Sequence, residues 1–286
     1  MRQVQDQASK LRHTATAAAK RLRTIAITSG KGGVGKTSLA VNLSLLMAGD
    51  GHRVALFDGD MGLANVDVLL GLAPKFTLRH VVEGQKELAE IMLQGPNGLH
   101  VIPGSRGVEA MAHLSSAEQT QLLERLGRLE GMLDILLIDT AAGISPNVIS
   151  LVLAADEAIV VTVPEPTSIT DAYAVIKVLS HHRADPRASI LMNMVESASQ
   201  AEEVFKELQR VIRHFLKVEV GYAGHVLRDE CVGRAVCEQK PFSIYFPYAR
   251  ASRSVQELAR SLAEPSRHAP QTDAFWGRMV HWSSQL

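Results

Sequence analysis

The sequence has 286 residues, its 30 Lys and Arg are balanced by 30 Asp and Glu, and 46% of its residues are hydrophobic and 21% charged. These values suit one or two globular domains with a sizeable core, and they exclude global disorder and a surface given over wholly to nucleic acid. Two cysteines, Cys231 and Cys237, exclude a disulfide framework or four-thiolate metal site within one chain; no apolar run approaches a bilayer span of roughly 18–20 residues, and the polar start Met1–Asp6 lacks an apolar signal core, so a cytoplasmic protein is expected.

Residues 1–23 carry Arg2, Lys10, Arg12, Lys20, Arg21 and Arg23 against Asp6, with an alanine-rich stretch from Ala15 to Ala19 and neither Gly nor Pro. This composition predicts a helix, but one with too few large apolar residues to form a core alone. From Thr24 onward short apolar runs alternate with helix-length segments. The runs are Thr24–Ser29, Arg53–Asp58, His100–Pro103, Leu133–Asp139, Ala158–Val163, Ser189–Val195 and Val218–Val226; the helices are predicted over Ser38–Ala48, Ser115–Glu130, Thr167–His182, Gln200–Phe215 and Ser252–Ala263. Near-continuous Val/Ile/Leu strands between helices predict an α/β fold, a doubly wound and mostly parallel sheet covered on both faces. The main domain is placed at 24–264.

A Pro-containing linker is expected over 265–272, followed by a last segment over 273–286. At about 100° per residue, Phe275, Trp276, Met279, Val280, Trp282 and Leu286 share an arc of roughly 160°, with Arg278 on the opposite side. Such an amphipathic helix suits a membrane interface, where indole rings are favourable. The plain alternative is a helix docked on its own domain, and a single basic residue, Arg278, against Asp273 favours weak lipid binding. The cysteines are read as packing residues and His181–Arg183 as a solvated helix end.

The first run leads directly into Gly30-Lys-Gly-Gly-Val-Gly-Lys36-Thr37 and then a helix. This fits the phosphate-binding pattern G-x-x-x-x-G-K-[ST] in the strand–loop–helix setting it requires. Glycines let successive N–H groups wrap an anion at a helix N-terminus. Gly30, Lys31, Gly32, Gly33, Val34, Gly35, Lys36, Thr37 and Ser38 are therefore candidate ATP-binding residues, with Lys36 at the β/γ-phosphates and the Thr37 hydroxyl on Mg²⁺. Strand-end carboxylates follow at Asp58 and Asp60 and again at Asp139, all at the edge where doubly wound sheets bind ligands.

The second lysine of the loop, Lys31, resembles the signature residue of the deviant phosphate loop in the MinD/ParA family. Phe57-Asp-Gly-Asp60-Met-Gly-Leu-Ala-Asn65-Val-Asp67 and Leu136-Leu-Ile-Asp139-Thr-Ala-Ala-Gly143 are similar to that family's two switch elements. The resemblance implies a slow, dimer-activated, Mg²⁺-dependent ATPase that forms a homodimer when ATP-bound. In it Lys31 reaches the partner subunit's phosphates, Asp60 orients the attacking water, and Asp58 and Asp139 support Mg²⁺ with Thr37. It also implies that Asn193 contacts adenine and that Asp229 lies near the base, the alternative for Asp229 being a helix N-terminal carboxylate.

Asp6-Gln7-Ala8-Ser9-Lys10-Leu11-Arg12 resembles the N-terminal motif of the FlhG/FleN branch of MinD-like proteins, which regulate flagellar number and placement. That resemblance implies that Asp6, Gln7, Ala8, Leu11 and Arg12 bind an FlhF-like GTPase of the signal-recognition-particle type. It further implies reversible association with the inner face of the cytoplasmic membrane through the C-terminal helix, and flagellar switch proteins or a transcriptional regulator as further partners. No specific nucleic acid is expected. The competing readings are a ParA-like DNA-partition ATPase, favoured by the basic N-terminus but opposed by neutral net charge, and a MinD-type division-site regulator, opposed by the 23-residue extension.

Overall fold

A computed structural model describes residues 22–60, 65–104, 122–124, 126–127, 131–264, 274–283 and 285. The expected partner-binding residues Asp6–Arg12, the expected linker 265–272 and most of the predicted helix 115–130 lie outside the described residues.

An eight-stranded sheet organises the chain. Its strands are β1 (Arg23–Ser29), β2 (Val54–Gly59), β3 (Leu93–Gln94), β4 (His100–Pro103), β5 (Ile135–Ala142), β6 (Glu157–Thr162), β7 (Ala188–Val195) and β8 (Gly221–Leu227), in the order β3-β4-β2-β5-β1-β6-β7-β8. Every neighbouring pair is parallel except β3–β4, a two-residue antiparallel edge too short to leave a sequence pattern. The seventh predicted run begins late, because Val218–Val220 precede the ladder rather than joining it.

The helices are α1 (Lys36–Gly49), α2 (Val66–Leu70), α3 (Pro146–Ala154), α4 (Pro166–His182), α5 (Ala198–Leu216), α6 (Glu230–Cys237), α7 (Arg250–Ala263) and α8 (Phe275–Ser283), with single turns at Leu78–Val82, Leu88–Ile91 and Phe242–Tyr245. Alternate residues of the buried strands serve opposite faces. Ile25, Ile27, Ile135 and Leu137 pack toward α1 and α7, whereas Ala26, Leu136 and Ile138 pack with α3, α4, α5 and α8. Helix α5 shows how the pattern works: Ala201, Phe205, Leu208 and Ile212 recur at helical spacing on its buried stripe, and the Ser197 hydroxyl caps its N-terminus by accepting from Gln200 N.

The C-terminal helix takes the docked arrangement, one of its two expected readings. Phe275, Trp276, Met279 and Val280 are buried against the chain's own domain. Trp276 meets Phe57 of β2 edge-on at 5.9 Å, and α8 runs along α3. Arg278 is not on a polar face: it is 6% exposed. Its Nε donates to Ala154 O at 2.6 Å and its Nη2 to Asp156 Oδ1 at 3.1 Å, while Asp156 Oδ2 accepts from Thr24 N and Oγ1. A guanidinium has donors enough to close the C-terminus of α3 and neutralise a buried carboxylate together, so its burial is compensated.

His181–Arg183 is likewise no plain solvated helix end. The His182 ring stands edge-on to Trp282 at 5.7 Å, and Arg183 bonds the Leu153 carbonyl and lies 6.0 Å from the Trp282 ring. Burial, then Arg187 and Arg278 nearby, bring the Arg183 guanidinium down to about 10. Cys231 is half-buried as a packing residue would be, but Cys237 is exposed.

Candidate nucleotide-binding site

Between β1 and α1 the loop 30–35 turns under the control of its glycines. Gly33 and Gly35 hold φ of 78° and 90°, a region that side chains rarely enter. A Cβ on Gly30 would run into the Asp171 backbone. The loop is held from behind by Val34, whose side chain is 2% exposed in the core and whose carbonyl accepts from Asn193 Nδ2 at 2.7 Å.

Lys36, Thr37, Asp58, Asp60 and Asp139 converge at the carboxyl ends of β1, β2 and β5. Asp58 and Asp139 are register partners on neighbouring strands, which sets their backbones roughly 4.8 Å apart. Both are almost fully buried. Burial and then repulsion from Asp139 push Asp58 up to about 7, and burial, with Asp60 adding to it, pushes Asp139 up to about 7 against the Thr37 hydroxyl and the Lys36 ammonium, which favour its ionised form. Burial also pulls Lys36 below its ordinary value, opposed by Asp139 and Asp60. Asp60 lies at the mouth, its N–H donating to Asp58 Oδ1 at 3.2 Å. Together with Gly32, Lys36, Thr37 and Asn65 it lines a cleft of about 590 Å³.

These residues fit a magnesium ion. Asp139 Oδ1 is buried beside the Thr37 hydroxyl without a hydrogen-bond partner among the described residues, and a hard divalent cation takes such oxygen donors. When bound, Mg²⁺ supplies positive charge for phosphate oxygens. Thr37 and Asp139 would hold it, with Asp58 behind them. Lys36 contributes a buried cation aimed at the same oxygens, and Asp60 is an acceptor at the open side, where a water would be oriented.

Lys31 sits apart from this group. Its Nζ bonds Glu165 Oε2 at 3.0 Å and Thr167 Oγ1 at 3.2 Å of its own chain, and both charged side chains are 41–56% exposed. An exposed pair of this kind holds its lysine weakly, by about 0–1 kcal/mol. Glu165 was missed in the sequence, although it follows β6 as Asp139 ends β5, and that strand-end position was the available signal.

A second cleft of about 380 Å³ adjoins the loop through Gly35 and Ser38 and is lined by Asn193, Met194, Val226, Arg228, Asp229 and Phe242. Asn193, the expected adenine contact, is part of this wall. The carboxylate of Asp229 is engaged as the cap of α6, accepting from Cys231 N at 2.9 Å and Ala251 N at 3.2 Å. Burial opposes its ionisation, yet these backbone N–H groups hold its carboxyl below the ordinary value. The helix-cap alternative for Asp229 therefore describes its side chain, which walls the cleft while serving the fold. Arg228 and Met194 were not anticipated; only their adjacency to Asn193 and Asp229 in sequence marked them.

The family profile described as ParA: NUBPL iron-transfer P-loop NTPase matches residues 20–263. The chain is 44% identical over 84% of its length, and 86% of the relative's, to the antiactivator FleN of Pseudomonas aeruginosa. It is 35% identical to the flagellum site-determining protein YlxH of Helicobacter pylori, over 82% of this chain and 80% of that one. Among solved structures, the MinD of Pyrococcus horikoshii complexed with Mg-ADP superposes with a TM-score of 0.67 at 26% identity, over 85% of this chain and 96% of that chain. A two-lysine phosphate loop, carboxylates at the ends of β2 and β5, and a match that spans the whole sheet lead to one assignment: the chain belongs to the MinD/ParA family of P-loop ATPases.

Proposed function

We propose that this ATPase is an ATP-dependent dimerising switch that regulates flagellar number and placement; its likeness to the flagellum site-determining protein YlxH supports the flagellar role, and its likeness to the antiactivator FleN a regulatory one. The observation that carries the switch is the contrast between its two loop lysines. Lys36 is buried among the carboxylates of its own site, whereas Lys31 is exposed on a weak tether to Glu165. A cation so placed is free to turn outward to phosphates bound by a second copy. ATP with Mg²⁺ favours the dimer, and hydrolysis, with Asp60 orienting water, returns it to monomer.

Two finer parts extend the reading. Residues 1–23 act on an FlhF-like GTPase, and flagellar switch proteins or a transcriptional regulator receive the output. Membrane association at the cytoplasmic face requires α8 to leave its seat, because the side chains that would enter lipid are those packed on α3 and β2. In the bacterium that encodes it, deletion of this protein is expected to raise the number of flagella, and a Lys36→Ala copy is expected not to restore it. A flagellar count unchanged by deletion overturns the proposal. In vitro, Asp60→Ala should run as a dimer with ATP in size-exclusion chromatography, and the Lys31→Ala, Asp60→Ala double variant as a monomer.

A further inference from the structure

We infer that Asn193 is a positioning residue for the phosphate loop, so that the amide facing the base also sets the affinity for the triphosphate. The inference deepens the ATP-site reading and rests on it. Asn193 closes the continuous buried run Ile190–Asn193 of β7 and is 6% exposed. Its Nδ2 reaches across to Val34 O at 2.7 Å, joining the sheet to the middle of the loop. In a trans peptide the carbonyl and the following N–H point in opposite directions. Holding Val34 O toward β7 therefore turns the Gly35 N–H to the other side of that peptide plane, the side of the loop where an anion is cradled.

The need for a tether follows from Gly35 itself. With φ at 90° and no Cβ, this residue permits its preceding peptide to flip, and a flipped peptide would present an oxygen to the phosphates. The fit is close: a Cβ on Gly35 would lie 2.6 Å from Asn193 Nδ2. A primary amide has two donors and one acceptor. One donor is committed to Val34, leaving the second N–H and Oδ1 for the base cleft. Adenine recognition and phosphate cradling thus draw on one side chain.

Tripolyphosphate, which has no base, separates the two roles. Calorimetry with Mg-ATP and with Mg-tripolyphosphate compares the parent with Asn193→Ala and Asn193→Leu, the second keeping the volume without the donor. Loss of one buried hydrogen bond predicts roughly a fivefold to tenfold weaker affinity for tripolyphosphate in both variants, with ATP weakened at least as much. Circular dichroism confirms that each variant is folded at the measuring temperature, and if one is not, the other decides. Full tripolyphosphate affinity with weakened ATP would show a base contact only and overturn the tether while leaving the ATP site intact. A parent that takes neither ligand would bring down the ATP-site reading and the tether with it.

Discussion

The two ends of the sheet bury charge in opposite ways. At the carboxyl ends of β2 and β5, Asp58 and Asp139 are crowded together, poorly solvated and incompletely bonded, with Asp139 Oδ1 lacking a partner among the described residues. At the amino ends of β1 and β6, Asp156 is also buried but is saturated by Thr24 and Arg278. A buried polar group without its partners costs about 1–3 kcal/mol, more when charged. The first end keeps that deficit because a ligand and its metal are to remove it; the second has removed it internally. The buried carboxylates thus separate the two ends: crowded and incompletely bonded at the nucleotide end, saturated at the structural one.

The largest test is to remove the cation from the unsatisfied end. Lys36→Ala should weaken ATP binding on the order of a hundredfold, about 2.7 kcal/mol, with the fold intact, because this lysine serves the ligand. Unchanged affinity in calorimetry would break the comparison.

At the satisfied end, Arg278→Ala should cost the docked tail up to about 3 kcal/mol by removing the guanidinium bonded to Asp156 and leaving only Arg183 nearby. Hydrogen exchange should rise over 275–283 with ATP affinity unchanged, and liposome sedimentation should increase. Adding Trp276→Glu and Met279→Glu should abolish that sedimentation, since charge then replaces the apolar contact. Sedimentation that ignores both changes means that α8 does not contact lipid.

A third test uses pH. Asp58 and Asp139 stand near 7 in the folded chain against an ordinary value of 3.8. Between those limits the folded state binds more protons than the unfolded one, so stability is greatest at the acid side and falls as pH rises toward 7. The thermal midpoint of nucleotide-free protein without Mg²⁺ should decline across that interval, and Mg-ADP should flatten the decline. The same slope in an Asp58→Asn, Asp139→Asn variant would assign it elsewhere.

The smallest effect is expected outside both ends. Gln7→Ala with Leu11→Ala should leave ATPase activity unchanged while a 1–23 peptide carrying them loses stimulation of an FlhF-like GTPase. Stimulation that survives the change would discard the N-terminal resemblance.

The phosphate loop was legible because its chemistry is local: a lysine, a threonine and glycines at fixed spacing fold into one turn. Strands β1, β2 and β5 were legible because burial on both faces leaves continuous apolar runs. The tail was only half legible. Its apolar stripe was visible, but Arg278 looked solvent-facing because its partners, Asp156 and the Ala154 carbonyl, are more than a hundred residues away. His182 and Arg183 were misjudged for the same reason, their contacts with Trp282 and Leu153 being long-range. Asp229 shows a different limit: proximity to the base and a capping role share one backbone position, and only the hydrogen bonds from Cys231 and Ala251 separate them.

Both tryptophans of the protein stand on the docked helix. Trp276 is sealed against Phe57 and Phe275 with its indole N–H unpaired among the described residues, while Trp282 lies among His182, His281 and the Arg183 guanidinium. Intrinsic indole emission therefore comes from the tail alone, and the rest of the domain is dark at that wavelength. Departure of the helix into water would shift the emission to the red, and entry into lipid would return it toward the blue. The chain carries its own optical gauge of where its last helix is.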